Sequence, residues 1–84
     1  MSGVRQRYLP DADEWIFEPP SLALTPGQMK ACAAHAAKIM ADRHRGMAPG
    51  DRRDLVAKAH DALAAGRYRQ GFIGRKGDVI LHSN

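Results

Sequence analysis

Two helix-start signals, 23 positions apart, constrain the fold of this chain most strongly. The first is the more complete. Thr25 can accept a hydrogen bond from the backbone of Gln28, whose side chain can return one, which is the capping-box pattern. Pro26 takes the first helical position, where a missing N–H costs nothing. Leu24 and Met29 fall at the two hydrophobic-staple positions, so the chain should enter a helix here.

The same Pro-Gly-polar order recurs from Pro49. Asp51 and Asp54 then place negative charge near the positive end of a helix dipole, which favours a helix start. We therefore predict helices over residues 26–45 and 49–65. Because the connection between them is short, the two helices should form an antiparallel hairpin.

The C-terminal part changes to a pattern typical of strands. Residues 68–82 contain two β-rich runs around a turn sequence and predict a β-hairpin. A hairpin alone is marginal in water, so it needs further partners. Residues 14–18 are the candidate third strand. We predict an α+β fold in the order β-α-α-β-β, with the helical hairpin packed on a small antiparallel sheet. The order of residues 1–13 is left open, a flexible arm being one interpretation.

The length and cysteine content limit the protein class. A chain of 84 residues predicts one compact domain over residues 1–84. Its single cysteine, Cys32, can form no intramolecular disulfide, which favours a reducing compartment. No apolar run approaches the roughly 18 residues of a membrane span, and the N-terminal stretch lacks the pattern of a secretory signal. We expect a cytoplasmic protein that does not contact membranes.

Charge is distributed unevenly along the chain. The net charge is +4. Residues 1–25 hold two basic and four acidic side chains (2 − 4 = −2), whereas residues 26–84 hold eleven basic and five acidic ones (11 − 5 = +6). Nine of the basic residues are arginine, which suits bidentate recognition of phosphate or carboxylate. We therefore expect the C-terminal part to contact an anionic partner.

The candidate binding residues follow from these clusters of basic side chains and the aromatic residues beside them. They are Arg43, Arg45, Arg52, Arg53, Arg67, Tyr68, Arg69, Arg75, Lys76 and Trp15. Arg43 and Arg45 also suit the negative end of the first helix dipole. Arg52 and Arg53 lie near a positive helix end, where the dipole does not stabilise a cation. For Trp15 the first interpretation is a core residue, and the second is an interface anchor.

The sequence offers weak support for catalysis or metal binding. Cys32 and His35 have ligand types one helical turn apart, but zinc needs about four ligands and the remaining histidines form no second pair. The serines lie at the chain ends or before the first helix, so a serine triad is not indicated. We expect no enzyme activity, no cofactor and no metal.

The resulting functional hypothesis is a non-enzymatic binding protein. It would dock on a larger protein or nucleoprotein complex and inhibit or modulate it. Small inhibitors encoded by mobile elements, the anti-CRISPR group among them, are similar to this chain in size and charge only, which is analogy. The alternative is a basic DNA- or RNA-binding regulator that uses the clustered arginines. A homodimer through the edge of the sheet stays open in both cases.

Overall fold

The computed structural model describes residues 4–71 and 79–82 and has an α+β fold, as predicted. Two helices pack against a four-stranded mixed sheet. In chain order the elements are β1 (Arg5–Leu9), β2 (Glu14–Glu18), α1 (Pro26–Arg43), α2 (Pro49–Ala64), β3 (Tyr68–Gln70) and β4 (Val79–His82). A short 3₁₀ turn, Pro20–Leu22, leads from β2 towards α1.

The strand order across the sheet is β3-β2-β1-β4. β1 runs antiparallel to both β2 and β4, whereas β3 runs parallel to β2. The predicted hairpin over residues 68–82 is therefore wrong, and so is the predicted all-antiparallel sheet. The two C-terminal strands lie at opposite edges, because each gains backbone hydrogen bonds from the N-terminal β-hairpin instead of from the other.

The N-terminal segment supplies a strand that the sequence did not predict. Arg5–Leu9 forms β1, which pairs with β2 and β4 and so lies inside the sheet. Part of the range interpreted as a flexible arm is thus a central strand, and the element order becomes β-β-α-α-β-β. Tyr8 stabilises this placement, since its ring lies 5.4 Å from the ring of Trp15 on the neighbouring strand.

The two helices start differently. At α1 the capping box is complete: the Gln28 N–H donates to Thr25 Oγ1 at 3.2 Å, and the Thr25 N–H donates to Gln28 Oε1 at 2.9 Å. At α2 the N-cap is Ala48, and no side chain of the described residues caps this helix. Both observed helices begin where predicted and end one or two residues earlier. After α2, Gly66 adopts a φ of 73°, the left-handed region that glycine reaches without strain.

The core lies between the helices and one face of the sheet. The sheet contributes large aromatic side chains, and the helices contribute mainly alanines, which allow close approach. The buried cluster consists of Tyr8, Trp15, Phe17, Ala33, Ala36, Ala37, Met40, Ala59 and Ala62. The indole N–H of Trp15 donates to the backbone oxygen of Ala59 at 3.2 Å, which satisfies its polar atom inside the core.

The other face of the sheet carries charge. Side chains alternate along a strand, so Arg7, Ile16 and Glu18 point away from the helix layer. All three are buried, and Arg7 Nη2 donates to Glu18 Oε2 at 2.8 Å. A buried ion pair of this kind is costly to break, because removing one partner leaves the other charge buried.

Candidate functional site

The connection between the two helices gathers four of the predicted arginines. We call residues 42–54 the helical hairpin tip: α1 ends at Arg43, and α2 begins at Pro49. Arg43, Arg45 and Arg53 are exposed and Arg52 is half-buried. The short connection brings both pairs to one end of the helical hairpin, as the sequence predicted.

Backbone hydrogen bonds hold the conformation of this tip. The His44 N–H donates to the Met40 oxygen at 2.9 Å, and the Met47 N–H donates to the His44 oxygen at 3.1 Å. The Arg52 N–H donates to the Ala48 oxygen at 3.0 Å, the first bond of α2. The exposed side chains therefore project from a backbone that is already ordered, which lowers the entropic cost of binding.

Carboxylates are interspersed among the arginines. Arg45 Nη2 lies 2.8 Å from Asp42 Oδ1, and both side chains are largely exposed, so the pair contributes little to stability. Asp51 and Asp54 are also exposed. Four arginines and three aspartates leave the tip with a formal charge of only 4 − 3 = +1. The tip presents both signs of charge and is not a continuous cationic track.

The second group of predicted residues lies at the far end of α2. This helix has 16 residues and is therefore about 24 Å long, which separates Arg67 from the tip. Tyr68 pairs with Trp15 in register and faces the helices, with its ring edge-on to Phe17 at 6.3 Å. Arg69 points to the opposite face, where its Nε lies 3.1 Å from Glu14 Oε2. The alternating Arg-Tyr-Arg sequence therefore forms no single surface.

Trp15 does not join the tip either. Trp15 is fully buried, in agreement with its first interpretation as a core residue, and it cannot meet a partner while the fold is intact. Arg75 and Lys76 lie outside the described residues. Of the ten predicted site residues, the structure brings together Arg43, Arg45, Arg52 and Arg53.

One exposed apolar residue at the tip was not among the predicted site residues. Met47 lies in the connection between the helices and keeps 38% of its surface exposed. Its position in the sequence was a usable signal, because it falls between Gly46 and Ala48 in a predicted turn, outside both helical stripes. A single exposed apolar side chain is ordinary on a protein surface, so Met47 adds apolar area beside the arginines without marking a binding site by itself.

The reactive side chains do not assemble into a centre within the described residues. Burial raises the pKa of the Cys32 thiol, and the nearby Gln6 amide only partly offsets this, so the thiol stays protonated and weakly nucleophilic at neutral pH. His35 is exposed on α1. No group of three or more potential metal ligands occurs in residues 4–71 and 79–82. Neither described helix is long and apolar enough to cross a bilayer.

Comparison with known proteins identifies no relative of this chain. The chain matches no protein-family model, and no curated protein and no solved structure is significantly similar to it.

Proposed function

We propose that this chain is a non-enzymatic, cytoplasmic binding protein that docks through the helical hairpin tip onto a larger protein or nucleoprotein complex and inhibits or modulates it. The observation that carries the proposal is the tip itself. Four arginines and an exposed methionine project from an ordered backbone at one end of the molecule. Arginine and methionine are both enriched at protein interfaces relative to the rest of the surface.

The mixed charge of the tip favours a protein partner over bare nucleic acid. Nucleic-acid affinity comes mainly from cations that neutralise a row of phosphates. Asp51 and Asp54 would meet such a row unfavourably, and Asp42 already engages Arg45. A protein surface can present carboxylates to the arginines and donors to the aspartates, which satisfies both signs.

The alternative function is direct binding of DNA or RNA. It is favoured by the sequence pI of about 9.7 and the +6 balance of residues 26–84. It lacks a base-stacking platform in the described part of the chain, because Tyr68 packs against Phe17 in the helix-facing layer.

The decisive experiment compares two charge-reversed variants with the natural protein. Arg52→Glu with Arg53→Glu reverses two charges at the tip. Lys30→Glu with Lys38→Glu reverses two exposed charges on α1 and is the matched control. Each tagged protein is used to capture partners from extract of its host, and the captured protein is purified and titrated. We expect the tip variant to lose about tenfold or more in affinity and the control to lose little.

Thermal unfolding of the same variants separates lost binding from lost folding. Both should melt close to the natural protein, because Lys30, Lys38 and Arg53 are exposed and Arg52 is only half-buried. If the tip variant and the control variant bind the captured partner with equal affinity, the tip is not the docking surface. Titration of duplex DNA and single-stranded RNA at low salt tests the alternative. Tight binding that collapses as salt rises would favour that alternative over a protein partner.

A further inference from the structure

A buried glutamine and the single cysteine of the chain meet between β1 and α1. Gln6 lies two residues before Tyr8 and therefore shares the helix-facing side of β1, where it is fully buried. Cys32 packs against the core from α1 and is half-buried. The Gln6 amide lies near the Cys32 thiol. A thiol that solvent can partly reach is thus backed by a polar side chain that solvent does not reach.

The Gln6 amide has hydrogen-bonding capacity that the described residues do not use. Its side-chain nitrogen and its side-chain oxygen each form no hydrogen bond with them. This arrangement is costly, because folding removes the amide's hydrogen bonds to water without replacing them. The thiol is a poor substitute, since S–H is a weak donor and sulfur is a weak acceptor. A hydroxyl group on the sulfur supplies both a strong donor and a strong acceptor beside the amide.

We infer that Cys32 is a modification site, at which a hydroperoxide oxidises the thiol to a sulfenic acid and the Gln6 amide retains the product. The sulfur attacks one peroxide oxygen and forms an S–O bond while the O–O bond breaks. With hydrogen peroxide, the departing hydroxide combines with the thiol proton to form water, so sulfur loses two electrons and the peroxide gains them. The sulfenic hydroxyl then donates to the Gln6 oxygen, and its own oxygen accepts from the Gln6 nitrogen.

Two properties of the chain favour a long-lived product. Cys32 is the only cysteine, so no second thiol of the same chain can convert the sulfenic acid to an intramolecular disulfide. Partial burial of the sulfur limits contact with a second peroxide molecule. The same burial raises the pKa of the Cys32 thiol, so the oxidation itself should be slow. We therefore expect a product that forms slowly and persists, unlike the product of a fast peroxide-reducing centre.

The test treats the full chain with hydrogen peroxide, removes the excess with catalase, and follows the sulfenic acid over time with dimedone. Tandem mass spectrometry locates the label, and dimedone does not label oxidised methionine. Gln6→Leu removes the amide beside the thiol. Gln28→Leu makes the same change at an exposed glutamine and is the matched control. Cys32→Ser should take up no label.

We expect label at Cys32 in the natural protein. In Gln6→Leu the sulfenic acid should decay about tenfold faster, because its hydrogen bonds to the amide are missing. In Gln28→Leu it should last as long as in the natural protein. Equal lifetimes in Gln6→Leu and the natural protein would show that the amide does not retain the product. Absence of label at Cys32 in the natural protein would remove the site altogether.

Circular dichroism shows whether Gln6→Leu is folded. If it is not, the folded natural protein is compared with the same protein in urea, where Gln6 and Cys32 are separated. The sulfenic acid should then last longer in the folded chain. Equal lifetimes in the folded and unfolded chain would contradict the inference.

Discussion

Arginines in the sheet and arginines at the helical hairpin tip have opposite surroundings. Arg7 is fully buried in β1 and donates to the Glu18 carboxylate at 2.8 Å. Arg45 donates to Asp42 at the same distance, but both of these side chains lie in solvent. The two contacts look alike in distance and differ in what they do. Because it is buried, the Arg7–Glu18 contact belongs to the interior of the fold. The Arg45–Asp42 contact is exposed and therefore available to a partner.

The largest expected effect comes from breaking the buried contact. Arg7→Met should lower the free energy of unfolding by about 3–5 kcal/mol, because it removes the guanidinium that forms an ion pair with the buried Glu18 carboxylate. Arg45→Met, the matched change at the tip, should cost at most about 1 kcal/mol. Urea unfolding of both variants measures the difference.

Replacing both members of the buried pair sharpens that comparison. Arg7→Met with Glu18→Leu should recover much of the lost stability, since an apolar pair needs no desolvation of charge. Similar losses for Arg7→Met and Arg45→Met would contradict the contrast between the two regions.

A buried amide provides the next test. Gln6 is fully buried on β1. Its side-chain nitrogen and oxygen form no hydrogen bond with the described residues, although the amide lies near the Cys32 thiol. An unsatisfied buried amide costs about 1–3 kcal/mol. Gln6→Leu should therefore raise the free energy of unfolding by about 1 kcal/mol. The exposed Gln28→Leu, which removes half of the capping box, should lower it, and chemical denaturation distinguishes the two signs. Destabilisation by Gln6→Leu would show that the amide has a satisfying partner.

The smallest expected effects compare the two helix starts. Thr25→Ala removes the α1 cap and should cost about 1 kcal/mol. Ala48→Ser introduces a cap at α2 and should add about 0.5–1 kcal/mol, because no described side chain fills that role now. Thermal unfolding of the two variants should show shifts of opposite sign. A neutral or destabilising Ala48→Ser would mean that the tip backbone does not accept a side-chain cap.

Local chemistry was enough to predict the helices. The start of α1 depends on side chains within six consecutive residues, from Leu24 to Met29, and both capping hydrogen bonds form as expected. The bounds of β2 also match residues 14–18, because its apolar residues stand between Glu14 and the Pro19-Pro20 stop. The clustering of arginines at the tip followed from the shortness of one connection.

Strand pairing was not predictable from local patterns. β1 contains Gln6 and Arg7, which normally indicate exposure, and yet both side chains are buried. β3 and β4 were predicted to pair across a nearby turn sequence, but each pairs with a strand more than 50 residues away in the chain. The separation of Tyr68 from Arg69 follows from the two-residue period of a strand, so it could have been anticipated.

Amide hydrogen exchange with and without the captured partner tests most directly whether the helical hairpin tip is the surface that binds. The exposed amides of the tip that donate no backbone hydrogen bond should exchange quickly in the free protein and become protected on binding. Protection concentrated in residues 42–54 is the predicted result. Protection at the turn between β1 and β2 or along β3, with the tip unchanged, would contradict it.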